Sequence, residues 1–463
     1  GTGAAGFPLI LKNIRSAGAQ VPRSQFLRES KIAALTVLPY FSIEKNDRTT
    51  IDSNSFIDIP SWISLHGQYT NVSQYHSSFT SPSQFTGPNS MTSSSSIKST
   101  NDLTLYLGIR LGKNTEVFFN PEIDQGYGLT NTLGMAGFPS GEAYKVGKGH
   151  PYYKVPRYFV RQTFNLGGEK TKIEDDINQT SGDLTADNLI ITAGKFSVVD
   201  VFDTNIYAHD PKGDFLNWSI LEGGAFDYAA DSWGFTYGAA AELSKDWWTA
   251  RIGIFALSTE PNMQTIDKSF HQYESVFELE ERHKLWDQSG KFKILVFANK
   301  ANMGTYTDAI ANMRERIPSV ADVRRYATKT GLVLNAEQSV NDYVGWFARI
   351  SMNDGSKEAY DFTEINRSYS TGLVFEGKFW NRVDDRIGVA FAVNQLSSEA
   401  QQYFKLGGQG ILIGDTPHPG YASEEIFEAF YSAHIEKHTT LTLDYQFANN
   451  PAYNPARGPI NLL

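Results

Sequence analysis

Apolar and polar residues alternate along most of this 463-residue chain, in segments of about ten residues. From Leu103 to Leu111 every odd position is Leu or Ile, whereas the even positions are Thr104, Tyr106, Gly108 and Arg110. Successive side chains of a β-strand point to opposite faces, so a period of two predicts strands with one apolar and one polar face. The chain is therefore predicted to be all-β.

The apolar runs are all short. None approaches the 18 to 20 residues that a membrane-spanning helix requires, and a hydropathy scan would classify the chain as soluble. Such a scan overlooks transmembrane β-strands, which are about 9–11 residues long and apolar only at every second position. The alternating segments have this length and this pattern, so they are compatible with a membrane barrel.

Composition excludes several classes of function. The chain has no cysteine, which excludes a disulfide scaffold and any thiolate-ligated metal site. Its formal net charge of −10 argues against a nucleic-acid partner, which would require a basic surface. No motif of a hydrolase or a metalloenzyme stands out. We therefore expect no enzyme activity, no cofactor and no metal.

The connections between predicted strands alternate in length. Short links near residues 112–114, 284–290, 339–341, 381–384 and 437–438 alternate with long ones near 71–101, 123–155, 258–270, 300–328 and 397–423. Short turns at one end and long loops at the other are typical of an up-and-down outer-membrane barrel. We predict such an antiparallel transmembrane barrel over residues 61–463. Residues 1–60 would be a periplasmic extension, a plug or non-native residues.

The strand count depends on one long segment. Treating 197–232 as an insert keeps the alternation of short and long links and leaves about fifteen strands, from near Trp62 to near Phe447. Bacterial single-chain barrels normally have an even number of strands. A sixteenth strand should therefore follow Pro459, where we interpret the remaining residues as a truncated strand. The link predicted at 167–188 is long for the short-turn side.

Several stretches resemble the carbohydrate-selective porins of the OprB family, and the likeness runs from about His66 to Pro459. The clearest are TLYLG from Thr104, LGMAGFPSGEAYKV from Leu133, AGKFSVVDVFD from Ala193 and YAHDPKGDFLNW from Tyr207. The resemblance implies a sixteen-stranded barrel in the Gram-negative outer membrane that passes sugars by passive, facilitated diffusion. Small sugars or sugar acids would be its solutes, and lipid and lipopolysaccharide would surround it.

If the apolar positions face lipid, the other positions face the lumen. This assignment predicts the following pore-lining or substrate-binding residues: Tyr106, Arg110, Glu116, Asn120, Glu122, Arg157, Arg161, Arg251 and Arg349. Arginine offers a fixed fork of hydrogen-bond donors that suits sugar hydroxyls and carboxylates alike. The pore is thus expected to be lined by arginine and filled with water.

The insert is predicted to fold inward and narrow the pore. Its candidate constriction residues, with a neighbouring lysine, are Lys195, Asp200, Asp203, Asp210, Phe215 and Trp218. The two aromatic rings could stack on a sugar ring. Alternatively, the carboxylates cap turns and pair with arginines of the barrel wall, which would make the insert rigid without contact to solute.

Three alternatives for function and assembly stay open on sequence alone. The arginines could favour small carboxylated polyols, such as quinate or gluconate, over neutral monosaccharides. Less favoured is a hydrolase built on a barrel wall, which would need a Ser/His/Asp or Asp/His arrangement near one rim. The assembly could be a monomer or a homotrimer.

Overall fold

A computed structural model describes residues 60–143, 147–313 and 316–463. Within these residues, sixteen strands form one closed antiparallel barrel in which neighbours in sequence pair and the first strand pairs with the last. The predicted all-β, up-and-down barrel is confirmed. The extension predicted for residues 1–60 lies outside the described residues, except for its last residue.

The strands are β1 (Ile63–His76), β2 (Ser96–Arg110), β3 (Thr115–Gly126), β4 (Lys148–Ile173), β5 (Gly182–Phe196), β6 (Thr236–Lys245), β7 (Trp248–Ala256), β8 (Tyr273–Leu285), β9 (Gln288–Met303), β10 (Arg325–Ser339), β11 (Val344–Asn353), β12 (Arg367–Glu376), β13 (Arg386–Gln395), β14 (Glu424–Glu436), β15 (Thr439–Asn449) and β16 (Ile460–Leu462). The α-helices are α1 (Trp218–Leu221), α2 (Tyr306–Asn312) and α3 (Ser398–Lys405). Short 3₁₀ turns lie at Ser83–Phe85, Leu129–Thr132, Val198–Asp200, Ala321–Val323, Gly377–Trp380 and Pro451–Tyr453. None of the helices in the described ranges is long and apolar enough to cross a membrane.

The two faces of the barrel wall differ in chemistry. On β7, Ile252 and Ile254 point outward and are exposed, whereas Thr249 and Arg251 point inward and are buried. Neighbouring strands pair each other's backbone N–H and C=O groups, which a segment in hydrocarbon requires. The alternation in the sequence therefore separates a surface suited to lipid from a polar interior.

The connections confirm the predicted alternation. Links at one end range from two residues (246–247) to nine (377–385), and links at the other range from ten (450–459) to thirty-nine (197–235). Short turns mark the periplasmic end of outer-membrane barrels, and long loops mark the extracellular end.

The link predicted at 167–188 is wrong. Most of that segment is a paired hairpin, because β4 continues to Ile173 and β5 begins at Gly182. The register of this pair shifts around Gly167, which has a φ of 129°, and Gly168 has a φ of 84°. Two glycines in this conformation bend the hairpin at a bulge rather than ending the strand.

The connection between β5 and β6, residues 197–235, is here called the insert, and it folds into the barrel. Phe215 packs against Phe347 of β11 and Phe430 of β14, with ring centroids 5.5 and 5.0 Å apart. Phe202 packs in the same way on Phe255 of β7, at 6.0 Å. The insert therefore forms an inner layer on the barrel wall.

The last strand closes the barrel. Residues 460–462 form β16, which pairs with β15 through Ala448 and with β1 through His76. The backbones of Tyr75 and Leu463 also exchange two hydrogen bonds, of 2.6 and 2.8 Å. The predicted start of a sixteenth strand after Pro459 is confirmed.

If the outward positions face lipid, a charged substitution there should destabilise the protein most at mid-membrane depth. Ile252 lies in the middle of β7 and is 62% exposed, so Ile252→Arg should lower the free energy of unfolding by about 2–4 kcal/mol. Met263→Arg, in the exposed part of the β7–β8 loop, is the control and should cost less than about 1 kcal/mol. Denaturant titration of the protein in lipid vesicles measures both, and equal losses would contradict the assignment.

Candidate functional site

Three carboxylates converge on the inner face of β2 and β3. Asp102, Glu122 and Asp124 each place an oxygen within 4.8 Å of the other two, and all three residues are buried. The Thr104 hydroxyl lies 2.9 Å from Asp102 Oδ1 and 2.8 Å from Glu122 Oε2. Lys154 of β4 pairs with Glu122 at 2.9 Å and with Asp124 at 3.0 Å. The group lies on adjacent strands because all its members share the inward register.

The insert adds a second ammonium group to these carboxylates. Lys212 Nζ lies 3.0 Å from Asp102 Oδ1 and 3.7 Å from Glu142 Oε2, which belongs to the β3–β4 loop. Burial alone would lower the pKa of Lys212, but the Asp102 and Glu142 carboxylates raise it well above its usual value. Lys212 is therefore charged and joins the insert to the β2 wall.

The same insert is anchored on the far side of the barrel. Asp203 accepts from Arg349 Nε of β11 at 3.2 Å, and Asp214 accepts from Arg386 of β13 at 2.7 Å. The insert thus reaches from the wall of β11–β13 to the wall of β2. We name the group where it meets β2 the charged cluster: Asp102, Glu122, Asp124, Glu142, Lys154 and Lys212.

The charged cluster has the chemistry to handle hydroxyl groups. Three close carboxylates could in principle hold a divalent cation. The ammonium groups of Lys154 and Lys212 already supply positive charge at about 3 Å, so the carboxylates have counter-charges without a metal. Carboxylates accept hydrogen bonds and ammonium groups donate them, so the cluster combines the two functions that a polyhydroxylated solute would use.

Two of the predicted lumen arginines are enclosed by protein. Arg251 is 2% exposed and contacts Glu242, Glu278 and Glu280 at 2.9, 2.6 and 2.9 Å. Arg349 also donates to the carbonyl oxygens of residues 203, 208 and 220. Both point inward, as their register predicts, and both stabilise the wall or the insert rather than standing free in the lumen.

The remaining predicted residues of the insert and its borders are paired in the same way. Asp200 binds Arg157 through two hydrogen bonds of 2.6 and 2.7 Å, and Lys195 lies 3.1 Å from Asp231. Asp210 accepts from the backbone N–H of Lys212 at 2.9 Å and so shapes the turn that presents this lysine. These contacts are those of the alternative in which the carboxylates make the insert rigid.

The predicted aromatic residues are buried. Phe215 has no exposed surface, and Trp218 is stacked between Phe138 and Phe362, with centroids 4.9 and 4.7 Å away. Both rings therefore anchor the insert and leave no face open for a sugar. Tyr106, on the inner face of β2, is also buried, and its hydroxyl donates to Gln68 at 2.5 Å.

Four predicted residues lie between the charged cluster and the periplasmic rim. Arg110, Glu116, Asn120 and Arg161 all point inward, and each bonds the turn between β4 and β5. They are not members of the charged cluster, although Asn120 is two residues from Glu122 on the same face of β3. Among the predicted residues, only Glu122 belongs to the cluster.

The alternation of inward and outward positions along β2 and β3 could have predicted two more members of the charged cluster. Asp102 lies two residues before Thr104 on β2, and Asp124 lies two residues after Glu122 on β3, so both side chains point inward. Lys212 and Glu142 lie in long loops, where no periodicity assigns a direction. Their convergence on β2 depends on contacts between segments far apart in sequence.

A cavity of about 770 Å³ lies at the long-loop end. It is here called the vestibule, and five loops contribute to its walls. Arg324 pairs with both oxygens of Glu358 at 2.9 Å, and the rings of Tyr306 and Tyr403 pack 5.0 Å apart in its floor. Its volume is in the range of small-molecule pockets.

Comparison with known proteins gives a family and a fold. Residues 89–462 match the family model described as carbohydrate-selective porin, OprB family. The high-pH structure of OprB from Pseudomonas putida is similar with a TM-score of 0.63 and 14% identity, over 87% of this chain and 92% of that one. At this identity the similarity shows the fold.

A sequence relative covers a shorter stretch. Porin AaxA from Chlamydia pneumoniae is 30% identical over 129 residues, which are 28% of this chain and 25% of AaxA. The matched stretch therefore spans about a quarter of that relative.

Glu142 predicts a pH-dependent ion selectivity. Its burial raises its pKa to about 8, although Lys212 opposes this shift. Glu142 is thus neutral below pH 8 and negative above it. A unit charge 8 Å from a passing ion in water contributes about 0.5 kcal/mol, so the cation-to-anion permeability ratio should rise about twofold from pH 6 to pH 9. Reversal potentials in a KCl gradient measure this ratio.

The matched control is Glu142→Gln, which should lack the transition near pH 8. The same transition in this variant would assign the titration to another group.

Proposed function

Because the chain belongs to the OprB family of carbohydrate-selective porins, we propose that it lets monosaccharides and related small polyols cross the membrane by passive, facilitated diffusion. The protein is a β-barrel of the Gram-negative outer membrane. In the proposal, solute enters through the vestibule, passes the charged cluster beside the insert and leaves at the periplasmic end.

The contact between Lys212 and Asp102 carries this proposal. It places an ammonium group and several carboxylates at the point where the insert meets the opposite wall. A sugar hydroxyl can donate to a carboxylate and accept from an ammonium group, so it can exchange with the internal partners. Such exchange gives weak binding, which rapid passage requires.

The charge of the cluster favours neutral sugars over the carboxylated polyols that were the alternative. Four carboxylates (Asp102, Glu122, Asp124 and Glu142) face two ammonium groups (Lys154 and Lys212). Arg157, Arg251 and Arg349, which were expected to attract anions, are paired with carboxylates. Arg161 donates to a backbone oxygen and Arg110 to a hydroxyl of the turn between β4 and β5. Both ammonium groups are already paired with carboxylates of the cluster at about 3 Å, which leaves little attraction for an anionic solute.

Conductance in planar bilayers tests the function. Discrete steps that glucose reduces, with gluconate less effective, are the expected result. A protein without conductance that hydrolyses an added lipid or peptide would instead support the barrel hydrolase. Steps in groups of three would indicate a trimer, and single steps would indicate a monomer.

Lys212 should affect sugar binding directly. Lys212→Gln removes a charged donor worth about 1 kcal/mol, so the glucose concentration that halves the current should rise about fivefold. Lys212→Arg keeps the charge and should retain most of the block, which separates lost charge from a misplaced insert.

The control for this series is Lys170→Gln, on the exposed hairpin between β4 and β5, where the pair with Asp183 lies outside the charged cluster. It should leave the glucose block unchanged. Equal block in Lys212→Gln and the unmodified protein would show that the cluster is not the sugar contact.

A further inference from the structure

The turn between β4 and β5 lies inside the barrel. This turn, residues 174–181, is here called the hairpin tip. Its partners are side chains of β1, β2, β3 and β4 that occupy the inward register. A periplasmic turn of an outer-membrane barrel is normally short and outside. Here the hairpin extends past the rim, bends at Gly167 and Gly168 and returns into the lumen.

Residues of β2 and β3 bind one end of the tip. Arg110 donates from Nε and Nη2 to the Thr180 hydroxyl oxygen at 3.1 and 2.9 Å. Glu116 Oε1 accepts from the backbone N–H of Thr180 at 3.1 Å. The guanidinium and the carboxylate thus hold a single residue of the tip from two directions.

The centre of the tip is bound more deeply. Arg161 donates to the carbonyl oxygen of Asn178 at 2.8 Å, and the Asn120 amide donates to the side-chain oxygen of Asn178 at 2.9 Å. Asn120 is five residues from the start of β3, which is about 17 Å along the strand at 3.4 Å per residue. The tip therefore reaches well past the rim.

The first strand binds the other end of the tip. The Ser64 hydroxyl donates to the carbonyl oxygen of Asp176 at 3.4 Å, and His66 Nε2 lies 3.6 Å from Asp175 Oδ2. Ile177 is 3% exposed, so its apolar side chain is also enclosed by the barrel. The tip consequently spans the lumen side of four adjacent strands.

The tip leaves space beside it. A cavity of about 80 Å³ lies between the hairpin and the wall, and Arg110, Glu116, Arg161 and Gln179 contribute to its lining. It has room for a few water molecules among charged groups. The tip is therefore held by polar contacts at defined points and is not packed tightly against the wall.

We propose that the hairpin tip is a second constriction, at the periplasmic exit, that limits the size of the sugar leaving the pore. This inference rests on the proposed transport function. Arg110, Glu116, Asn120 and Arg161 are then positioning residues that fix the tip, and the tip determines the free cross-section. Monosaccharides pass this exit, and disaccharides and trisaccharides are retarded.

Single cysteines test whether the tip lies in the conduction path. The chain has no native cysteine, so Gln179→Cys in the tip can be modified selectively, with Lys172→Cys on the exposed stem as the matched control. A trimethylammonium methanethiosulfonate reagent added during a bilayer recording should lower the conductance of Gln179→Cys by roughly one third, because a fixed bulky group narrows a water-filled path. Lys172→Cys should be unaffected.

A shortened hairpin tests the size limit independently. Ile173 and Gly182 are paired, so residues 174–181 can be replaced by Asn-Gly, which forms a two-residue hairpin turn. In liposome swelling, the rates for disaccharides and trisaccharides should rise severalfold, and the rate for glucose should rise less.

The outcomes separate the two proposals. If the unmodified protein conducts and glucose blocks it, but the reagent has no effect on Gln179→Cys and the shortened hairpin keeps the original size limit, the exit constriction is overturned and transport stands. If the unmodified protein forms no sugar-sensitive channel, the transport function itself is overturned.

Discussion

Closure of the backbone hydrogen-bond network is the constraint on which this structure depends. A strand in hydrocarbon leaves no N–H or C=O group unpaired without a cost of several kcal/mol, so the sheet has to meet itself. Here the sheet meets itself at the long-loop end through β16, three residues long, which pairs with β15 on one side and β1 on the other. Once the sheet is closed, the alternation of side chains separates lipid from lumen, and every later feature is built on the inner face.

The inner face is organised by buried charges that have several partners. A buried guanidinium with one missing partner is strongly destabilising, whereas a fully bonded one is tolerated. Arg251 has three glutamates from β6 and β8, and Arg349 ties β11 to the insert through Asp203 and three carbonyl oxygens. These networks and the buried apolar side chains of the insert together hold it in one position on the wall.

Periodicity predicted the strands and their inward residues because alternation records the two environments of the barrel wall directly. It misjudged the segment 167–188, since Gly167 and Gly168 have the composition of a turn although they form a bend within a hairpin. Periodicity also could not predict whether the side chains of loop residues point into the barrel or away from it. The contact of Lys212 with Asp102 joins positions 110 residues apart, and it depends on how the whole insert packs on β11–β14. The partners of the arginines could not be read from the sequence for the same reason.

The pairing of the arginines changes how selectivity arises. A lumen of free guanidinium groups would attract anions over the range of a Debye length, about 8 Å at physiological salt. Where a guanidinium is paired with a carboxylate, as for Arg157, Arg251 and Arg349, its field is largely cancelled at that distance. What remains is the local excess of carboxylates at the charged cluster and the geometry of the insert and the hairpin tip. Under the proposed function, a neutral sugar would meet donors and acceptors at short range and little net field, so its passage would depend on hydroxyl placement and on size.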